Sequence, residues 1–347
     1  MYPAISIINK IKELEPDSTF LYIGTDNRME KDLIPSFGIE YRQLHVTGLV
    51  RKISLENIKT LSNFLKARKE CLKIISEFNP DIVIGCGGYV TAPVIWASHK
   101  LKIKTFIHEQ NSVVGLANKY LSSYADKVGV SFENTINDFP KGKAVLTGNP
   151  CSQNAIGMEK AKKEDYKLSS NKKLVLIVMG SLGSKTINDM IYNNLELFKD
   201  KDYEVLFVTG NSYYEKIKNK TKYKNVKIVP FIYELPRVMK ISDLIISRAG
   251  ASTMSEIMAL GIPSIFIPSP YVTNNHQYKN AKALVDKEAG LLIEEKDITI
   301  SKLIETIDNI LTDNKKYKTI KKNLSSLAVV DSSKKIYDEI KKLTRGW

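Results

Sequence analysis

Short apolar runs recur from one end of this chain to the other, and between them the apolar residues fall at helical spacing. That alternation is the pattern of parallel β-sheets with helices on both faces. Parallel neighbours need a long crossover connection, usually a helix. The first half should hold strands at Thr19–Gly24, Ile82–Gly85, Thr105–Ile107, Lys127–Val130 and Ala144–Thr147. The second half should hold Leu174–Met179, Glu204–Thr209, Val226–Val229, Leu244–Ser247 and Ser264–Ile267. Ala4 to Leu14 reads as a helix with no strand ahead of it. Gly148 to Asn171 is rich in Lys, Glu, Ser and Asn and reads as a linker. From Asp331 to Leu343, Ile336, Ile340 and Leu343 share one face of a final helix. The expected organisation is a first domain over residues 1–150, a second over 165–330, and a closing helix within 331–347. A chain of 347 residues suits two such domains, each able to bury a core.

Composition narrows the class. The net charge is +14, which favours anionic partners: nucleic acid, anionic lipid or a phosphorylated substrate. No basic stripe interleaved with aromatics and no helix-turn-helix signature is visible, so nucleic acid is not expected. No apolar run is long enough to cross a membrane, and no signal peptide is visible. Cys71, Cys86 and Cys151 are too scattered for a disulfide frame or a zinc site, and a reducing cytoplasm fits them. Asp200-Lys201-Asp202 has the spacing of an Asp-x-Asp metal motif, but it precedes a strand on the side away from the expected site. It reads as a solvated turn, and no metal is expected.

The densest chemistry lies from Ser247 to Gln277. A strand ends at Ser247; Ala249, Gly250 and Ala251 let backbone approach a ligand; Ser252 or Thr253 can cap the helix that follows. Free N–H groups and a positive dipole end there make a seat for phosphate, and Glu256 could grip a ribose. Gly261-Ile262-Pro263 ends that helix, and Asn274, Asn275, His276 and Gln277 offer a row of hydrogen-bonding groups. Gly180-Ser181-Leu182-Gly183-Ser184 follows another strand and can approach a diphosphate. Gly85-Cys86-Gly87-Gly88-Tyr89 is a second phosphate cradle by the same logic, and His108-Glu109-Gln110-Asn111 sits at a strand's C-terminal end, where α/β sites lie. From Ile53 to Phe78 an apolar face carrying Leu55, Ile58, Leu61, Phe64, Leu65, Leu72 and Ile75 is bordered by lysines and Arg68. It suits a core-facing helix or a patch resting on anionic lipid.

These motifs, in this order, resemble the MurG family of glycosyltransferases. The resemblance implies the GT-B architecture, two Rossmann-like α/β domains with a cleft between them. It implies inverting transfer of N-acetylglucosamine from UDP-GlcNAc to undecaprenyl-diphosphate-MurNAc-pentapeptide, lipid I to lipid II, in peptidoglycan synthesis. Ser181 then matches a serine that binds the donor, Ile232 an isoleucine whose backbone meets the uracil, and Asn111 an asparagine that contacts the donor sugar. Arg248, Ala251, Ser252, Thr253, Glu256 and Gln277 complete the donor set; Gly87, Gly88 and Tyr89 form the acceptor set. The implied setting is peripheral, on the cytoplasmic face of the cell membrane, with an anionic membrane surface and the division and elongation machinery as partners. No tightly bound cofactor is implied.

Three departures accompany the match. Met179 and Leu182 replace a glycine and a glutamine of the family loop. Cys151 and Ser152 stand where an arginine near the donor diphosphate is usual; the alternatives are compensation by Arg248 or a nearby lysine, or a lower donor affinity. Met1-Tyr2-Pro3-Ala4 matches a Tyr-Pro-Ala that the family places after a first strand and a Gly-Gly-Thr-x-Gly-His loop. The expectation is a sequence lacking that strand and loop, with Glu109 and His108 as candidates for the catalytic base. The alternatives are a related diacylglycerol glycosyltransferase and a non-catalytic donor-binding remnant.

Overall fold

The computed structural model describes residues 1–28, 30–46, 55–180, 183–217 and 223–344, without the side chains of 55–59 and 61. The chain forms two compact units. The first joins Met1–Pro150 to Asp331–Trp347, and the second is Cys151–Val330.

The first unit contains β1 (Leu21–Thr25), β2 (Glu40–Leu44), β3 (Ile82–Gly85), β4 (Lys104–Glu109), β5 (Lys127–Val130) and β6 (Ala144–Leu146). All pairings are parallel. β1 pairs with β2 as a two-stranded sheet, and β3 to β6 form a second sheet in sequence order. A cavity of about 590 Å³ lies beside β1 and β3, lined by Ile8, Phe20, Ile23, Ile82, Val94 and Ile340 among others. The Tyr2–Leu14 helix packs on the Ser332–Thr344 helix. Between them Ile7, Ile336 and Ile340 are buried together with Phe106 of β4. The last segment thus belongs to the core of the first unit, although more than a hundred residues separate it from that unit's other elements.

The second unit contains β7 (Lys173–Val178), β8 (Tyr203–Val208), β9 (Val226–Val229), β10 (Leu244–Ser247), β11 (Ser264–Phe266) and β12 (Leu291–Leu292). They form one parallel sheet in the order β9-β8-β7-β10-β11-β12. This is the doubly wound order, whose connections diverge at one seam, here between β7 and β10. Ligands of such sheets bind outside the carboxyl ends at that seam. β7, β8 and β10 are near-continuous apolar runs because helices cover both faces.

Four elements differ from the sequence reading, one of them β12, whose two residues are too few to stand out as an apolar run. β2 went unseen because Glu40-Tyr41-Arg42-Gln43-Leu44 is polar; among the described residues it pairs with β1 alone, and Leu44 is its one buried residue. The linker is not structureless: Pro150–Gly157 is a helix, with proline at a first-turn position where it needs no N–H partner. The helix after β10 is Ala251–Leu260, with Gly250 at its cap position and no side-chain cap, so Ser252 and Thr253 lie inside its first turn. Its end is as read: Gly261 takes the left-handed conformation, φ 63°. Asn274 and Asn275 likewise adopt positive φ before the helix His276–Val285.

Candidate active site

In the second unit two loops leave the sheet at the seam. The loop after β7 turns at Gly180 and Gly183, both at positive φ. A side chain on Gly183 would also collide with the Thr209 carbonyl at the end of β8. Buried Asn188 donates to that same carbonyl at 2.7 Å, tying the loop's helix to β8. Ser181 and Leu182 lie outside the described residues.

The loop after β10 runs through Arg248, Ala249 and Gly250 into the Ala251–Leu260 helix. Ala251, Ser252 and Thr253 stay partly exposed in its first turn, so their backbone N–H groups cluster at the positive end of the helix dipole. One turn on, burial alone pushes the Glu256 carboxyl up to about 8, so it is largely protonated at neutral pH. Asn280, fully buried, donates to the Ala249 carbonyl at 3.2 Å and pins the turn ahead of the helix. Sequence reading passed over Asn280; its place one turn after Gln277 on the same helix was the available signal. Gln277 accepts from the Ser269 backbone N–H at 2.9 Å. Ile232, beyond β9, has a buried side chain and is flanked by Phe231 and Tyr233, whose rings meet edge to face at 5.1 Å. Arg248 is engaged within the protein: it donates to Ser184 Oγ at 2.7 Å and to the Ile267 carbonyl at 3.0 Å, and pairs with Glu295 at 2.5 Å.

In the first unit the loop after β3 holds Gly87 and Gly88 at positive φ, and Thr91 Oγ1 donates to the Gly87 carbonyl at 2.6 Å. The Arg28 guanidinium lies over the Tyr89 ring, 4.9 Å from its centroid. Gln110 donates to the Cys86 carbonyl at 3.1 Å and so couples this loop to the end of β4.

His108 is fully buried, and burial pushes its pKa down to about 4, so the ring is neutral at pH 7. Nε2 lies 2.9 Å from the Gly148 carbonyl and must carry the proton; Nδ1 lies 3.1 Å from the Gln110 amide nitrogen, which donates to it. Glu109, 2% exposed, receives the Asn111 backbone N–H at 2.9 Å and its side-chain amide at 3.2 Å on one oxygen. The other oxygen receives the Gly115 N–H and the Asn118 amide, each at 2.9 Å. Glu109 thus receives two donors on each oxygen, while the two Gln110 amide hydrogens are shared among His108 Nδ1, the His108 carbonyl and the Cys86 carbonyl. Sequence spacing showed polar groups at a strand end and not the donors that fill them.

Lys201 of the Asp200-Lys201-Asp202 turn pairs with Asp308 at 2.6 Å. Among the described residues no three His, Cys, Asp or Glu side chains gather as a metal site would require. Among the same residues no helix is long and apolar enough to cross a membrane.

Residues 1–130 match the glycosyltransferase family 28 N-terminal domain, and residues 174–337 match the family's C-terminal domain. A Bacillus cereus UDP-N-acetylglucosamine–N-acetylmuramyl-(pentapeptide) pyrophosphoryl-undecaprenol N-acetylglucosamine transferase is 47% identical over 99% of this chain and 96% of its own length. A relative of the same description from Listeria welshimeri is 42% identical over 98% and 95%. The crystal structure of Acinetobacter baumannii MurG superposes with a TM-score of 0.76 at 26% identity, covering 98% of this chain and 95% of that one. The fold alone is shared with a Neisseria meningitidis UDP-GlcNAc 2-epimerase bound to UDP-GlcNAc, TM-score 0.68 at 16% identity over 97% and 95% of the two chains.

Proposed function

The chain belongs to glycosyltransferase family 28 and, within it, to the MurG family, and from that membership we propose that it transfers GlcNAc from UDP-GlcNAc to undecaprenyl-diphosphate-MurNAc-pentapeptide in peptidoglycan synthesis. The observation that carries the reading is the seam of the second unit's sheet, where a glycine-turned loop and a helix N-terminus converge. Such a seam suits a nucleoside diphosphate. The donor diphosphate sits against the first turn at Ala251, Ser252 and Thr253 and the loop carrying Ser181. Glu256 takes the ribose hydroxyls, the Ile232 backbone meets the uracil, and Gln277 meets the sugar; the family match also assigns Asn111 to the donor sugar.

The acceptor diphosphate rests on Gly87, Gly88 and Tyr89. Its sugar 4-hydroxyl attacks the anomeric carbon with inversion as UDP leaves, and the helix dipole steadies the charge that develops on the diphosphate. His108 and Glu109 act by positioning: the carboxylate folds the Asn111–Gly115 turn around itself, and the imidazole ties β4 to Gly148.

A peripheral place on the cytoplasmic face of the membrane follows from a polyprenyl acceptor. The first unit offers a surface that suits it. Leu65, Leu116 and Tyr120 are 49, 71 and 54% exposed, and the Arg68 guanidinium stacks on Trp96, 3.2 Å from the ring centroid. Exposed apolar groups edged by cations fit an anionic bilayer. The product feeds wall growth, which makes the division and elongation machinery the natural partners and cell shape the natural phenotype. The deciding experiment is transfer of labelled GlcNAc from UDP-GlcNAc to a lipid-diphosphate-MurNAc-pentapeptide. Turnover that requires both substrates is expected; transfer to diacylglycerol instead would replace the acceptor assignment.

A further inference from the structure

Arg248 stands at the seam, held by groups from several segments. It is the first residue beyond β10, where the connections of the sheet diverge towards β7 on one side and β11 on the other. Its guanidinium donates to two acceptors and forms an ion pair with a third group, each from a different segment. Ser184 Oγ closes the β7 loop at 2.7 Å, the Ile267 carbonyl lies just past β11 at 3.0 Å, and Glu295 lies beyond β12 at 2.5 Å. The two ionic side chains are only 10 and 7% exposed. One planar fork therefore ties together the carboxyl ends of four adjacent strands. It does so as half of a neutralised pair, because Glu295 cancels its charge at close range.

We propose that Arg248 is a positioning residue for the donor. Through Ser184 it sets the Gly183–Ser184 end of the β7 loop against the first turn of the Ala251–Leu260 helix, and Glu295 holds the guanidinium in that task and off the diphosphate. The proposal rests on the donor-site reading above and deepens it. It also replaces the expectation that Arg248 stands in for an arginine absent at Cys151 and Ser152. A cation neutralised by a buried carboxylate and held by two protein acceptors does not offer a diphosphate its full charge. Lysine at this position would keep the charge and lose the fork, since an ammonium cannot reach three divergent acceptors in a plane.

The two roles differ in sign at Glu295. If Arg248 were a diphosphate ligand, Glu295→Gln would free its charge and tighten UDP binding. If Arg248 positions the turn, the same change loosens the fork and weakens binding. UDP titration by calorimetry on the whole chain, with thermal unfolding of each variant as a folding control, reads this directly. Positioning predicts weaker UDP binding, by roughly three- to tenfold, for both Glu295→Gln and Arg248→Lys. The double variant Arg248→Lys with Ser184→Ala should be no weaker than Arg248→Lys alone, because the effect runs through Ser184. In the transfer assay Arg248→Lys should raise KM for UDP-GlcNAc by about tenfold with kcat within about threefold of the parent. Tighter UDP binding by Glu295→Gln, additive losses in the double variant, or a fall in kcat as large as that in kcat/KM would each overturn the proposal. Should Arg248→Lys lose its cooperative transition, Glu295→Gln and Ser184→Ala alone decide it. Failure of the parent chain itself to bind UDP would remove the donor-site reading, a result distinct from parent binding that the variants leave unchanged.

Discussion

Glu256 shows how far a residue's surroundings can take it from its ordinary chemistry. Its carboxyl is pushed up to about 8 by burial with no cation to oppose it. The folded chain therefore holds a proton there, between pH 4.5 and about 8, that the unfolded chain releases. Stability must fall as pH rises through that window, since the unfolded state binds fewer protons. Each tenfold change in proton affinity is worth about 1.4 kcal/mol, and the residue's partial exposure reduces the sum to about 1–2 kcal/mol. Glu256→Gln should then match the parent in melting temperature near pH 4.5 and exceed it near pH 8, while binding UDP more weakly at pH values where the parent carboxyl is ionised, since only the carboxylate offers the ribose acceptors on both oxygens. A constant offset at both pH values would mean that the carboxyl is solvated. The same scale explains what sequence could not show. Glu256 and His108 were both legible as polar residues in apolar company. Which N–H or carbonyl each one meets depends on chain segments far away: His108 finds its proton acceptor at Gly148, forty residues on.

Elements were legible where one local force decides them. Buried strands such as β7, β8 and β10 announce themselves as apolar runs because both faces are covered. The end of the Ala251–Leu260 helix was written in Gly261-Ile262-Pro263, since a left-handed cap favours glycine. β2 was illegible because its place is set by pairing with β1, with the Tyr41 hydroxyl donating to the Thr25 carbonyl at 2.6 Å, and not by its own apolarity. The start of the Ala251–Leu260 helix was misread for a related reason. Serine and threonine are good caps, but here the turn before them is held from outside by Asn280 on the His276–Val285 helix. Replacing that amide by leucine leaves the Ala249 carbonyl buried without its donor. Asn280→Leu should cost about 1–3 kcal/mol of stability and weaken UDP binding more than any effect on the acceptor side. Unfolding in denaturant together with UDP titration checks both; a stable variant with unaltered UDP affinity would show that the turn holds itself.

At the scale of the molecule, the two units differ in how completely they are built. The second has one continuous six-stranded sheet buried on both faces: Val175, Ile177, Val205, Phe207 and Ile246 pack with the Ile300–Thr312 helix, and Leu176, Leu206, Ile245 and Phe266 alternate with them, fully buried, on the other side. The first divides its buried residues among several smaller clusters. Its β1 and β3 do not pair with each other among the described residues, and a cavity of about 590 Å³ lies beside both. Atoms lining such a space lack packing partners, and strand edges without neighbours give up ladder bonds, so less free energy holds the first unit per residue. Its dependence on the Ser332–Thr344 helix adds a long-range contact whose closure costs chain entropy. Scanning calorimetry should therefore resolve two transitions, the lower belonging to the first unit. Saturating UDP should raise the upper transition, since a ligand at one hundred times its Kd adds about 2.7 kcal/mol to the state that binds it. The lower transition should stay where it is, because the groups assigned to the nucleotide all belong to Cys151–Val330. A single transition would mean that the two units unfold together. A UDP-dependent rise in the lower one would mean that the first unit also holds the nucleotide, and the division of labour between acceptor and donor units would have to be redrawn.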